Sequence, residues 1–215
     1  GVTASSLKAQ DAALPNTFSG DLAYQHVADH VNIGFRQTAT LGSIQAGNLI
    51  LEKLQSYGWE TSEDWHVVSL GDAATMTDTA QQTLADWQPI TLQDGLTAQI
   101  GGLGADVQVD QVLVPVRNLV ATFGEPDNGV IIIGAHYDSR IYADHDPDTA
   151  LHSEFMPGAN DGGSGVGVLL ELARVLSQSY TPNMQIRLVF FDAEDNGRID
   201  PWIHVVPSSG GYLVG

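Results

Sequence analysis

Three mainly apolar runs constrain the fold of this chain more than any other feature of its sequence. They are VRNLVATF (116–123), GVIIIGAHYD (129–138) and IRLVFFDAED (186–195). Strands that are buried on both faces have this composition because neighbouring layers cover each side of the sheet. Helical patterns alternate with these runs. The sequence therefore predicts an α/β fold of three layers, α/β/α, around a mostly parallel mixed central sheet.

Three helices are predicted around these strands. Ser19 is an N-cap candidate for a helix over 21–31, and Ser43 is one for a second helix that ends at Gly58. The third helix follows the sequence GANDGGSG. Its apolar residues recur at i, i+3, i+4, i+7 and i+10, which predicts that one face lies across the sheet; they are Val166, Leu169, Leu170, Ala173 and Leu176.

The chain of 215 residues is long enough for one substantial core. Residues 1–18 are small and polar and are interpreted as an N-terminal arm, followed by one domain over 19–215. Within it, residues 63–70 alternate weakly, which indicates an edge strand. Residues 71–111 lack firm periodicity and are interpreted as an insertion or a meander.

Charge and cysteine content limit the chemistry. A formal net charge of −18, from 8 Lys plus Arg against 26 Asp plus Glu, argues against binding to nucleic acid or to an anionic membrane, and it favours metal ions or cationic partners. No apolar run is long enough to span a bilayer. With no Cys, a zinc site would need His and carboxylate ligands. The first residues, which are small, polar and without an initial Met, indicate a secreted or extracytoplasmic protein.

The polar residues that end the strands are the candidate site, because ligands of open α/β sheets bind beyond the carboxyl ends of the strands. His136 and Asp138 are two residues apart, so in an extended chain both face one side, and the carboxylate can orient a metal-binding imidazole. Asp161 lies in a glycine-rich loop that can bring the backbone close to an ion. The same loop also fits a simple tight turn with Ser164 as N-cap.

Glu194 and Asp195 are adjacent carboxylates at the end of a strand. Two adjacent carboxylates repel each other unless a cation or a proton lies between them, although a solvated turn would also accommodate the pair. Together the motifs predict that His136, Asp161 and Asp195 bind Zn²⁺. Asp138 would then lie behind His136, and Glu194 would act as general base.

These motifs, in this order, resemble the zinc aminopeptidase and glutaminyl cyclase family, metallopeptidase family twenty-eight. The resemblance extends to GFRQTATLGSIQAGNLILEKLQSYGWE (34–60) and VPVRNLVATF (114–123). It implies a zinc-exopeptidase-like fold with one or two zinc ions. By resemblance, His136 and Asp161 are metal ligands, Asp161 bridges two ions in the aminopeptidases, Glu194 is the catalytic carboxylate, and Asp195 stands where the aminopeptidases usually have Glu.

Two features favour the cyclase branch of the family, in which an N-terminal glutamine is cyclised with release of ammonia. They are the segment SRIYADHDPD (139–148) and AED in place of a Glu-Glu pair. In the hydrolase branch, water attacks the first peptide bond. Both branches act on peptides with a free N-terminus, and the broader activity of the family favours an aminopeptidase.

The resemblance fails after Asp195. The family has a further carboxylate ligand and a late histidine ligand, and Asp200 and His204 come too soon to match them. We therefore expect a fold that is incomplete at its C-terminus, with a missing segment or a second copy of the chain covering the sheet edge. A catalytically incomplete subunit of an assembly is the alternative from another class. A generic acidic binding domain would require all three motifs to coincide by chance.

Overall fold

The computed structural model of the protein describes residues 17–91 and 111–195. Most of the predicted N-terminal arm lies outside these residues, as do Asp200 and His204. The helices and strands, in chain order, are α1 (Gly20–Val31), α2 (Leu41–Ser56), β1 (Glu60–Asp72), α3 (Asp78–Trp87), β2 (Gln111–Phe123), β3 (Val130–His136), α4 (Gly163–Ser179) and β4 (Gln185–Phe191). No helix among the described residues is both long enough and apolar enough to cross a membrane.

The four described strands form one mixed sheet in the order β1-β2-β4-β3. The α/β class and the mixed sheet predicted from the sequence are confirmed. Among the described strands, parallel pairing is confined to β3 and β4, whereas β1 with β2 and β2 with β4 are antiparallel. In the parallel pair His136 lies opposite Phe191, so both strands end at the same edge of the sheet.

The helix starts follow local capping chemistry. Ser19 caps α1 as predicted, and its Oγ accepts a hydrogen bond from the Leu22 N–H. The prediction that Ser43 caps α2 is wrong: Thr40 is the N-cap, and its Oγ1 accepts from the Ser43 N–H. Ser164 is not the N-cap of α4 either, because the helix begins at Gly163, directly after Gly162.

Helices α2 and α4 pack against the sheet, and α1 packs on α4. The main core joins these helices to inward-facing residues of β2 and β4, among them Ile50, Leu54, Leu119, Val166, Leu170, Leu188 and Phe190. A second cluster contains Val114, Val116 and Trp87 of α3. Since Val116 and Leu119 are an odd number of residues apart on β2, they face opposite sides, and α3 therefore lies on the other face of the sheet.

Helix α3 lies within the segment 71–111, where no helix was predicted. Its Trp87 side chain is buried, and the indole N–H donates to the Thr38 carbonyl at 2.9 Å. Residues 92–110 lie outside the described residues, so the interpretation of this segment as an insertion stays a prediction.

Candidate metal and catalytic site

His136 and Asp138 stand at the carboxyl end of β3, where the sequence places them. Asp138 is completely buried, and its Oδ1 lies 3.3 Å from His136 Nδ1. The same carboxylate accepts hydrogen bonds from the backbone N–H groups of Glu194, at 3.3 Å, and Asp195, at 3.0 Å. Asp138 thus ties the imidazole of His136 to the turn that follows β4.

The turn after β4 contains a backbone conformation that is rare for a side chain larger than hydrogen. Ala193 has φ +64°, in the left-handed region, and it is buried. This turn directs the Glu194 side chain towards His136, with Glu194 Oε2 3.8 Å from His136 Nε2. Such conformations persist where the surrounding contacts hold them, and here the two hydrogen bonds to Asp138 do so.

The glycine-rich loop brings Asp161 to the same imidazole. Asp161 Oδ1 lies 3.1 Å from His136 Nε2. Gly162 has φ +74°, and a Cβ at this position would lie 2.9 Å from His136 Cε1. The loop therefore requires glycine at residue 162, because only a residue without a Cβ lets the backbone approach the imidazole so closely.

The electrostatics of the cluster favour a cation at His136. The pKa of His136 is raised to about 9, mainly by the hydrogen bond to Asp138 and then by the charges of Asp138, Glu194 and Asp161, against the opposing effect of burial. The carboxylates of Asp161 and Glu194 are 56% and 52% exposed, so they can be reached from solvent. An imidazole nitrogen and carboxylate oxygens are donor atoms of the type that zinc accepts, so the chemistry of these residues suits the metal.

Asp195 does not join this cluster. Its carboxylate accepts from Arg140 Nη1, and Arg140 also binds the carboxylate of Asp144. Within residues 17–91 and 111–195, no three His, Asp or Glu side chains are grouped so that they could hold a metal ion together. The structure places Asp138, Asp161 and Glu194 around His136, although not as a three-ligand group, and the ligand role of Asp195 stays a prediction.

Two charged residues beside the site were given no role from the sequence. Arg140 is one, and Asp192, the first polar residue after β4, is the other. Asp192 is buried and accepts from the Arg117 and Ala193 N–H groups. Burial raises the pKa of its carboxyl, and the charge on Asp138 raises it further. The signal for Asp192 was its place in the apolar run IRLVFFDAED, whereas nothing local identifies the partners of Arg140.

Comparison with known proteins tests the resemblance to the metallopeptidase family. The model of peptidase family M28 matches residues 118–202, which include every predicted site residue. The family resemblance predicted from the three motifs is confirmed.

Two solved structures and one curated relative are also similar to this chain. A Bacteroides thetaiotaomicron glutaminyl cyclase superposes with a TM-score of 0.62 at 28% identity, over 86% of this chain and 50% of that one. A Zn-dependent exopeptidase from Parabacteroides distasonis gives 0.63 at 29% identity, over 92% of this chain and 54% of that one. Aminopeptidase YwaD of Bacillus subtilis is 41% identical over 68 residues, which are 32% of this chain and 12% of YwaD. The chain thus spans about half the length of these two solved chains.

Proposed function

We propose that this protein is a zinc-dependent enzyme that acts on the N-terminal end of peptides, with hydrolysis of the first peptide bond as its reaction. The observation that carries the proposal is the position of His136, whose Nδ1 contacts buried Asp138 and whose Nε2 faces the exposed carboxylates of Asp161 and Glu194. The protein thus holds the imidazole of His136 in place through Nδ1 and leaves Nε2 accessible to a metal and a substrate.

His136 and Asp161 would hold the metal, and Asp195 would join them after release from Arg140. When bound, zinc supplies Lewis acidity, which polarises a carbonyl oxygen and lowers the pKa of water. Asp138 would accept a hydrogen bond from Nδ1–H of His136, which leaves Nε2 as the ligand atom. The proposed site holds one or two zinc ions.

Glu194 is the proposed proton carrier. Its carboxylate is exposed and is attached to a turn that Asp138 fixes through the Glu194 and Asp195 amides. As general base, it would take a proton from the attacking water and deliver it to the leaving amine. The exposed carboxylates of the site also suit the ammonium group of a free peptide N-terminus.

A second candidate reaction is cyclisation of an N-terminal glutamine with one zinc ion. The similarity to a glutaminyl cyclase at 28% identity supports it, as does the loop 139–148, which carries Arg140 and Asp144 beside the site. In this reaction Glu194 would accept the proton of the attacking α-amine and pass it to the departing ammonia.

The deciding experiment measures zinc per chain and two product releases on the same preparation. An aminoacyl anilide reports hydrolysis, and ammonia released from a glutaminyl peptide reports cyclisation. Bound zinc with release of the aniline supports the aminopeptidase, and bound zinc with release of ammonia supports the cyclase. Absence of both zinc binding and turnover after zinc is supplied would contradict the enzyme and favour a noncatalytic subunit of an assembly.

A further inference from the structure

Arg36 connects the two loops that carry the site, although it lies in neither. It is completely buried in the connection between α1 and α2. Its Nη2 donates to the carbonyls of Pro157 and Gly158, both at 2.9 Å, and its Nη1 donates to Gly34 at 2.8 Å. The first two acceptors begin the loop that presents Asp161.

The backbone of Arg36 binds the other loop. Its N–H donates to Ser139 Oγ at 3.0 Å, and its carbonyl accepts from the Ser139 N–H at 3.2 Å. Ser139 directly follows Asp138 at the end of β3. Arg36 therefore makes four hydrogen bonds to the two loops. Its guanidinium makes two, to Pro157 and Gly158, and its main-chain N–H and carbonyl make two, both to Ser139.

The contact leaves no space for a side chain at Gly158. A Cβ on Gly158 would lie 2.8 Å from Arg36 Nη2 and 2.9 Å from Ser139 Cβ, and Gly158 has φ +56°. The Gly158 carbonyl also accepts from the Gly163 N–H at 3.2 Å, which closes the loop around Asp161 at the start of α4. The Gly158 carbonyl thus links Arg36 to both ends of the loop that presents Asp161.

Burial of a charged guanidinium against carbonyls is unfavourable, and here Nη1 and Nη2 have carbonyl acceptors whereas the buried Nε has no acceptor among the described residues. Burial lowers the pKa of Arg36 to about 10, against the opposing charge of Asp138, so the group stays charged at neutral pH. A neutral apolar side chain could fill the same space without this penalty, but it could not bind three carbonyls.

We propose that Arg36 is a positioning residue that holds the Asp161 loop and the His136–Asp138 loop at a fixed spacing. The importance of this spacing for metal binding rests on the proposed function, whereas the spacing itself does not. Arg174 is a matched control, because it is equally buried but binds Glu171 and the Thr17 carbonyl, away from both loops.

The first test is amide hydrogen exchange of the metal-free chain and of Arg36→Met, Arg36→Lys and Arg174→Met. In Arg36→Met the Ser139 and Gly163 amides should exchange about tenfold faster or more, because the Asp161 loop loses the hydrogen bonds that the charged guanidinium donates to the Pro157 and Gly158 carbonyls and opens more often. Arg36→Lys keeps the charge and should be intermediate. Equal acceleration in Arg174→Met, or none in Arg36→Met, would overturn the proposal. If Arg36→Met does not fold, Ser139→Ala, which removes only the hydroxyl acceptor, should still accelerate exchange in the same loops.

The second test is zinc affinity by competition with a chelator. Arg36→Met should bind zinc about tenfold more weakly or worse than the unmodified chain, as expected when outer partners of a metal site are lost. Arg174→Met should bind as the unmodified chain does. Unchanged affinity in Arg36→Met would overturn the positioning role. If the unmodified chain binds no zinc, the proposed function fails, while the exchange experiment still decides whether Arg36 sets the spacing.

Discussion

At the scale of single residues, the Asp138 carboxylate controls the protonation of His136. Its hydrogen bond is the largest cause that raises the pKa of His136 to about 9. Because this pKa is raised, the stabilisation it gives the metal-free chain is present below about pH 6.5 and is lost as the pH rises through about 9. We expect Asp138→Asn to lower the pKa of His136, as measured by NMR titration of the ring protons without metal.

The matched control for Asp138→Asn is Asp64→Asn, which removes the carboxylate paired with His66 on the surface at 2.8 Å. It should leave the pKa of His136 unchanged. A raised pKa of His136 that persists in Asp138→Asn would show that Asp161 and Glu194 hold the proton instead.

Glu194 is the residue on which the proposed chemistry depends. Glu194→Gln keeps the shape of the side chain but cannot accept a proton, so turnover should fall by about 10²–10⁴-fold. Zinc content should remain, because His136 and Asp161 are unchanged. The control is Glu154→Gln, which removes an exposed carboxylate from the segment that precedes the Asp161 loop. Turnover of Glu194→Gln equal to that of Glu154→Gln would remove Glu194 from the mechanism.

His30 should make the stability of the protein depend on pH below neutrality. It is completely buried with Nε2 3.1 Å from the Tyr137 carbonyl, and burial, followed by the charge of Arg36, lowers its pKa to about 3. Between about pH 3 and 6.5 the unfolded chain binds the proton and the folded chain does not, so stability falls as the pH falls.

The expected slope from His30 is about 1.4 kcal/mol per pH unit at the steepest part of the window. Urea unfolding at about pH 6 and about pH 5 should show it, and His30→Gln should reduce it. His66→Gln, which changes a more exposed histidine, should keep the slope. A slope in His30→Gln equal to that of the unmodified chain would contradict the assignment.

At the scale of elements, the packing of α1 on α4 depends on Gly167. A Cβ at this residue would lie 2.6 Å from the Ala23 carbonyl oxygen and 2.6 Å from Val27 Cγ2. Gly167→Ala should therefore destabilise the protein by about 1–3 kcal/mol, because overpacking outweighs the better helix propensity of alanine. Gly20→Ala, which meets no atom within 4 Å, should be neutral or stabilising by up to about 1 kcal/mol. Thermal or urea unfolding of both variants measures the difference, and equal stabilities would argue against tight α1–α4 packing.

At the scale of the whole molecule, β3 forms one edge of the described sheet and carries exposed apolar side chains. Ile132 is 64% exposed, and Val130 and Ile131 are 39% and 42% exposed. An apolar strand with unpaired backbone groups favours association with another strand. We propose that a further strand, from a second copy of the chain or from another segment, pairs with this edge.

Sedimentation velocity of the unmodified chain and Ile132→Lys tests the edge proposal. If copies of the chain pair through β3, Ile132→Lys should lower the sedimentation coefficient towards that of a monomer, because a charged side chain blocks edge pairing. Val168→Lys replaces an equally apolar exposed residue, 48% exposed on α4, and should not change association. A monomeric unmodified chain would exclude self-pairing as the cover of this edge.

Local sequence determined the strands β2, β3 and β4, the helix α4 and the Ser19 cap, because periodicity and capping depend on residues a few positions apart. It also placed His136, Asp138, Asp161 and Glu194 near one another, since parallel strands end at one edge of a sheet. Helix α3 was missed because its burial depends on Trp87 contacting Thr38 and β2, far away in the sequence.

Only the tertiary structure decided which charges pair within and beside the site. Arg140 binds Asp195, which is 55 residues away, and Arg36 binds Gly158, which is 122 residues away. No local pattern specifies such partners, because the free energy of a buried charge depends on the groups that the whole fold brings around it. The residue types of the site followed from the sequence, whereas their spacing and the pairing of Asp195 followed from packing.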